Sequence, residues 1–399
     1  MLSKLKRWFR YFYKVPWCVP AWGRRELLVT LGCIFTGRVI DGAYPEVFAA
    51  AVKKFLGLRY AVPVNRGRTA IELALRAMGL GKEDEVIFPS YVCHSVLDAV
   101  VRTGAVPVFA DVGPELQLTV DTVRSAITSK TKCVVVPHLF CRTAPIDNIE
   151  VMLRGTGIWL IDDAAQLFGS RCDGRLVGAF GDCGIISCGP GKTLAGAAGG
   201  LFVTDNRDLY EKAVSISLSR EKQSAVTRRV LSFWIWRRLR KYTLPFQVII
   251  NRLLDLKNEM PHQFCAMSNL DAAIALAQFD AMYKNDRIRR FNAETLLQAL
   301  GHGADRSIND LSRDDMSVKF VLLLPENGYQ LLELIEKLSD LGIECQGGYA
   351  PLHKEMGAWP TELTVTEKVW DKVLCIPIDS EFKNTKKIEA FISKAFGLR

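Results

Sequence analysis

The sequence contains no CxxC pair and no cysteine–histidine cluster at zinc spacing, although it holds eleven cysteines. That pattern excludes the common zinc frameworks, and no metal site is expected. Cys18, Cys33, Cys93, Cys133, Cys141, Cys172, Cys183, Cys188, Cys265, Cys345 and Cys375 are odd in number and scattered. They read as reduced, mostly buried thiols of a cytosolic protein. Long apolar runs are also missing: Leu27–Phe35 (LLVTLGCIF) is about half the roughly 20 residues that a transmembrane helix requires. It also lacks the cleavage site of a secretory signal. No internal repeat and no low-complexity segment occurs, which sets solenoid folds aside. Acidic residues are absent from positions 1–25, where seven Lys/Arg are found.

What is present is an ordinary globular composition. The chain has 399 residues, 49% hydrophobic and 24% charged, enough for one large domain or two of common size. The net charge of +9 is concentrated in two places. One is the acid-free N-terminal segment; the other is residues 220–257, with ten Lys/Arg against Glu221 and Asp255. The remainder of the chain is net acidic.

From about residue 45 the pattern alternates between helix and strand. Thr69–Met78 and Ser95–Thr103 have helical spacing, while Glu85–Phe88, Val106–Ala110, Cys133–Val136, Ile158–Ile161 and Leu201–Thr204 are short apolar runs. Continuous rather than alternating apolar strands predict a parallel sheet covered on both faces. Residues 205–257 read as helices. Val318–Leu323 reads as strand, Tyr329–Leu341 as helix and Gly342–Cys345 as a further short run, which gives a smaller α+β unit at the C-terminus. Three regions are expected: a basic aromatic segment 1–44, a large α/β domain 45–257, and a small domain 258–399.

The stretch SCGPGKTLAGAAGG (Ser187–Gly200) places a single lysine among small residues. A P-loop needs GxxxxGK[ST], yet position 186 is Ile186 and Gly184 comes two residues too early, so the phosphate-loop reading fails on spacing. A covalent role for Lys192 needs a carboxylate for a pyridinium nitrogen and a cradle for a phosphate. Asp162 and Asp163 end an apolar run (IWLIDDAAQ), where ligands gather in parallel sheets. Either could instead cap the next turn. VNRGRTAIELAL turns at a glycine straight into an amphipathic helix, whose first N–H groups around Gly67, Arg68 and Thr69 can hold an anion. Ser187 can add a hydroxyl to the same anion.

The order NRGRTAIELAL, DEVIFPSYVCHSV, VPVFADV, IDDAAQLFGS, FGDCGIISCGPGK and AAGGLFVT resembles the DegT/DnrJ-type sugar aminotransferases, which depend on pyridoxal 5′-phosphate. Weaker echoes follow in SNLDAAIALAQFD and GIECQGGYAPLH. The resemblance implies a fold type I transferase with a mostly parallel central sheet flanked by helices, working as a homodimer. It implies Lys192 as the Schiff-base lysine and Asp163 as the partner of the ring nitrogen. Gln166 matches the residue beside the ring hydroxyl, and Gly67, Arg68 and Ser187 match the phosphate cradle, with Thr69 as an added contact. The implied reaction moves an amine from an amino acid, glutamate in most of the family, to a keto sugar that is nucleotide-linked or lipid-linked. Relatives that remove a hydroxyl instead carry histidine at the lysine position; here Lys192 is present, which favours amination. Elimination or desulfuration on the same fold, or a non-catalytic binding role, are the alternatives.

The sequence departs from the family pattern at three places. Cys93 stands where an aromatic ring stacks on the cofactor, leaving Tyr91 or His94 to take that role. Ala197 and Ala198 occupy the region of a family glutamate. Phe264-Cys265-Ala266 precedes Met267 in place of the asparagine and arginine, and that asparagine reaches the partner's phosphate.

Five of the eight tryptophans (Trp8, Trp17, Trp22, Trp234, Trp236) fall in the two basic segments. Trp and Tyr beside Lys/Arg is the composition of an interfacial helix on an anionic membrane. Residues 1–36 and 228–254 are the expected contacts, holding a cytoplasmic enzyme on the inner face of the membrane. Packing at a dimer interface would use the same residues. Nucleic acid is not an expected partner, since no recognition motif accompanies the charge.

Overall fold

The structure, a computed structural model, describes residues 17, 21–239, 263–300, 308, 315–324, 331–340, 343–357 and 362–379. Its helices are α1 (Arg24–Phe35), α2 (Tyr44–Leu56), α3 (Gly67–Ala77), α4 (His94–Thr103), α5 (Val120–Ala126), α6 (Ile146–Leu153), α7 (Arg207–Ser215), α8 (Gln223–Leu239), α9 (Asn269–Leu300), α10 (Leu331–Asp340), α11 (Leu352–Glu355) and α12 (Thr364–Val369). The strands are β1 (Tyr60–Val64), β2 (Glu85–Pro89), β3 (Val106–Ala110), β4 (Thr131–Pro137), β5 (Trp159–Asp163), β6 (Arg171–Cys172), β7 (Arg175–Leu176), β8 (Cys183–Ser187), β9 (Gly200–Thr204), β10 (Phe320–Leu323), β11 (Gln346–Gly347) and β12 (Val373–Ile376).

Seven strands form the central sheet in the order β1-β9-β8-β5-β4-β2-β3. From β8 to β3 all pairings are parallel, and β9 runs antiparallel to both β8 and β1. The expected mostly parallel sheet is therefore present. Alternate residues of a strand point to opposite faces, and here both faces are covered. Cys133 and Val135 of β4 pack with Ile71, Leu73 and Val100 from α3 and α4. Val134 and Val136 pack with Val123, Ile146 and Ile149 from α5 and α6. Burial on both sides is why these strands read as unbroken apolar runs. β1 and β8 are not expected from the sequence; Pro63 lies within the one and Gly184 within the other, although β3 is expected despite Pro107.

The second sheet, β10-β12-β11, is antiparallel and packs its Phe320, Leu322, Leu374 and Ile376 against Leu334 and Leu338 of α10. This is the smaller α+β unit. The expected strand begins at Phe320 rather than Val318, and the short run before Gln346 forms no strand among its described residues. Helix α9, about 48 Å long at 1.5 Å per residue, lies against α1 and α2. There Gln278 donates to Glu26 at 2.8 Å and Asn269 accepts from the Tyr44 N–H at 3.0 Å.

The ten described cysteines are all free, eight of them buried. Among the described residues no group of three or more metal-ligating side chains occurs, and no helix is long and apolar enough to cross a membrane. Part of the basic segment 220–257 is the described helix α8; residues 1–16, 18–20 and 240–262 lie outside the described residues. Trp22 does not face outward: it is 2% exposed, packs against Phe233 and Trp234, and donates its indole N–H to the Ala195 carbonyl at 2.7 Å.

Candidate active site

A cavity of about 170 Å³ opens at the carboxyl ends of β4, β5 and β8, beside the turn from β1 into α3. Sheet topology brings its parts together, since parallel strands point their C-terminal residues to one edge. Asp163 ends β5, Ser187 ends β8, and Gly67 opens α3. Lys192 follows in the glycine-rich loop after β8. Gly67, Arg68, Asp163, Gln166, Ser187 and Lys192 all line this cavity.

The two adjacent aspartates separate by the strand's alternation. Asp162 is fully buried away from the cavity: it accepts from His138 Nε2 at 2.8 Å, from the Gly178 N–H at 2.5 Å and from the Phe180 N–H at 3.0 Å. His138 Nδ1 in turn accepts from the Ala144 N–H at 3.0 Å, so the ring proton sits on Nε2. Asp163 turns to the cavity. One of its oxygens accepts from the Ala165 N–H at 3.0 Å, and no described residue donates to the other. Burial pushes its carboxyl above the usual range; the Ala165 N–H, Lys192 and His138 oppose that shift. A buried acid with a free oxygen lacks a donor or cation opposite it.

Lys192 Nζ has no hydrogen bond or ion pair among the described residues. It lines the first cavity and also a second of about 230 Å³, whose wall includes Trp17, Phe140, Gln166, Lys319 and Tyr349. Gln166 donates to the Tyr349 hydroxyl at 2.7 Å, joining the two walls, and burial pushes that hydroxyl up to about 12. At the other end Ser187, 9% exposed, also has no partner for its hydroxyl among the described residues. A Cβ on Gly67 would stand 2.9 Å from the Ser187 Cβ, so only glycine lets α3 begin this close to β8.

Three expected contacts are not brought to the cavity. Tyr91 is fully buried, stacked on Phe140 with centroids 5.1 Å apart, and therefore belongs to the core. His94 sits at the surface, paired with Asp98 at 3.0 Å and Glu355 at 3.5 Å. Thr69 spends its hydroxyl on Asn65 at 2.7 Å, inside the turn. Cys93 does line the cavity, as do His138, from one of the loops expected to form the acceptor pocket, and Arg66, which the sequence did not single out. The residues present fit a pyridine ring carrying an aldehyde and a phosphate: an unpaired amine, an unsatisfied carboxylate, and a hydroxyl beside a helix N-terminus.

A lysine-bearing cavity at the carboxyl edge of a seven-stranded, mostly parallel sheet places the chain among α/β proteins with a transferase fold. The chain belongs to the DegT/DnrJ/EryC1/StrS aminotransferase family, whose profile matches residues 24–393. It is 31% identical over 204 residues to a GDP-perosamine synthase of Vibrio cholerae, covering 51% of this chain and 56% of that protein. It is 35% identical over 192 residues to a UDP-N-acetyl-3-dehydro-alpha-D-glucosamine 3-aminotransferase of Acidithiobacillus ferrooxidans, covering 47% and 52%. The matches thus span about half the length of these curated relatives. In fold it is similar to the NtdA protein of Bacillus subtilis with bound cofactor PMP, at a TM-score of 0.75 and 24% identity over 96% of this chain and 86% of the other.

Proposed function

We propose that the protein is a pyridoxal 5′-phosphate-dependent aminotransferase that moves an amine from an amino acid, glutamate first among them, to a nucleotide-linked keto sugar. The observation that carries this reading is the unpaired Lys192 amine lining two cavities, with the Asp163 carboxylate across the first. Lys192 would hold the cofactor covalently, Asp163 would face its ring nitrogen, and the Gly67 turn with Ser187 would hold its phosphate. Gln166 lies between the cavities, where it would meet the ring hydroxyl. When bound, the cofactor supplies an electron sink for bonds at the donor's α-carbon.

This chain's own groups supply the rest. Asp163, in a buried site, keeps a proton on the nitrogen it faces, which relieves the charge that burial penalises. Lys192 Nζ has no competing partner among the described residues, so it can take a proton at one carbon and return it at another. The second cavity, walled in part by Trp17, Gln166, Lys319 and Tyr349, would take the acceptor sugar, with Lys319, which lies over the Phe140 and Tyr349 rings, as a cation for its phosphates. The names of two relatives, one for a GDP-linked and one for a UDP-linked sugar, support a nucleotide-linked acceptor.

Purified protein incubated with pyridoxal 5′-phosphate should be yellow, and glutamate should bleach it with release of 2-oxoglutarate. Release of ammonia would instead favour elimination. The reading fails if the protein stays colourless and takes up no cofactor.

For its location, the reading is a homodimer held on an anionic membrane surface. On α1, Leu28 is 69% and Phe35 83% exposed, an apolar strip with Arg24 one turn before Leu28. Leu231 and Ile235 of α8 are exposed as well.

A further inference from the structure

Arg66 and Arg68 line the cavity, and Arg66 differs from its neighbouring arginines in having no partner among the described residues. Arg68 pairs with Asp98 at 3.2 Å, Arg76 with Glu72 at 2.8 Å, and Arg229 with Glu221 at 2.8 Å and with Asp271. Arg66 makes no ion pair and no side-chain hydrogen bond among the described residues. Burial depresses its pKa most and the Arg229 charge adds to that; Glu221, Arg68 and Asp271 act more weakly, the two acids in the opposite sense. It is a half-buried cation without a paired counter-ion among the described residues, and such a group is costly unless an anion arrives.

Its backbone is held from both sides. Arg66 is the N-cap of α3, extended at φ −156° and ψ 157°, and is bridged to Gly199. The preceding Asn65 donates its N–H to the Cys265 carbonyl at 3.0 Å and its side-chain amide to the Gln263 carbonyl at 2.9 Å. A Cβ on Gly200 would lie 2.7 Å from the Arg66 carbonyl carbon, so the strand passes against this residue. The backbone of Arg66 is thus held at the cavity wall before any ligand binds, which leaves only side-chain ordering to be met on binding.

We propose that Arg66 is a ligand of the phosphate monoester at this site, completing within one chain a cradle formed by the first turn of α3 and the Ser187 hydroxyl. The proposal rests on the cofactor reading above. A phosphate monoester carries about −1.5 to −2 charges at neutral pH. A helix N-terminus contributes only about half a positive charge. Arg68 is committed to Asp98, and Lys192 is reserved for the aldehyde end. Arg66 is the cation left to balance the charge, and its planar fork suits phosphate oxygens. It also stands beside residues 263–267, where the asparagine and arginine of the family pattern are replaced by Phe264 and Ala266.

The test compares pyridoxal 5′-phosphate with pyridoxal, which lacks the phosphate, on the full-length chain freed of cofactor. Dissociation constants are measured by equilibrium dialysis for wild type, Arg66→Gln and Arg66→Lys. Arg66→Gln should weaken the phosphorylated ligand by about 10- to 100-fold and pyridoxal by less than about twofold. Arg66→Lys should fall between, and it provides the reading if Arg66→Gln does not fold. The assignment is overturned if either variant binds both ligands with the wild-type ratio. Wild-type protein that binds neither ligand overturns the cofactor reading itself, a result distinct from that one.

Discussion

Lys192 and Asp163 face one cavity with their charges incompletely matched by protein groups, and substitutions at each should have separable effects. Lys192→Ala should abolish covalent attachment and lower the turnover of glutamate to 2-oxoglutarate by at least about a hundredfold, while phosphate-dependent binding persists. Asp163 has a second signature in the protein without cofactor. Its pKa is raised by burial in the folded state. Between the ordinary aspartate value and the raised one, the folded state binds more protons than the unfolded, so stability falls as pH rises through that window. Asp163→Asn should flatten this dependence in urea titrations at several pH values. An unchanged slope would mean that Asp163 is not the buried titrating group described here. His138 and Asp162 did not stand out in the sequence as a pair because nothing local joins them; only the β4–β5 pairing brings them to 2.8 Å.

At the scale of elements, the site depends on strands and helix starts that approach more closely than side chains allow. A Cβ on Gly184 of β8 would lie 2.0 Å from the Gly178 carbonyl oxygen, a collision between backbones. Gly184→Ala should cost about 3 kcal/mol in denaturant unfolding. Gly32 in α1 has nothing within 4 Å of its would-be Cβ, and Gly32→Ala should raise stability by up to about 1 kcal/mol. Equal effects of the two would contradict the packing described. Elements also explain what could be read beforehand. Strands β2, β4 and β5 are almost wholly buried, so their apolar runs mark them. The edge strand β3 is marked by its apolar run alone; β1 and β8, with Pro63 and Gly184 inside them, leave a weaker mark. Asp163 and Gly67 could be placed from sequence because each sits at the end of an element with a local signal. Ser187 and Lys192, at and after the weakly marked β8, are legible instead from the lysine set among small residues and from the family resemblance. Tyr91 and His94 could not be placed that way. Whether Tyr91 meets a cavity or the core depends on Phe140, which is remote in sequence and stacks on it.

For the molecule as a whole, the uneven charge and the exposed strip on α1 make a lipid surface the proposed partner. Wild-type protein should float with anionic vesicles at low salt and release as salt is raised. The double substitution Leu28→Glu and Phe35→Glu should reduce flotation by about tenfold without altering uptake of pyridoxal 5′-phosphate. Protein that remains in solution at low salt would remove the membrane from the account. The buried Trp22 limits how far composition could be read: tryptophan beside arginine suggested a headgroup contact, yet this ring fills the space between α8 and the loop after Lys192.

The central claim is that Lys192 anchors pyridoxal 5′-phosphate. Protein loaded with the cofactor, reduced with borohydride, digested and analysed by mass spectrometry tests it directly. The account predicts one peptide bearing the reduced phosphopyridoxyl group, with the modification on Lys192. Modification on another lysine, or no modification after saturating cofactor, would contradict it.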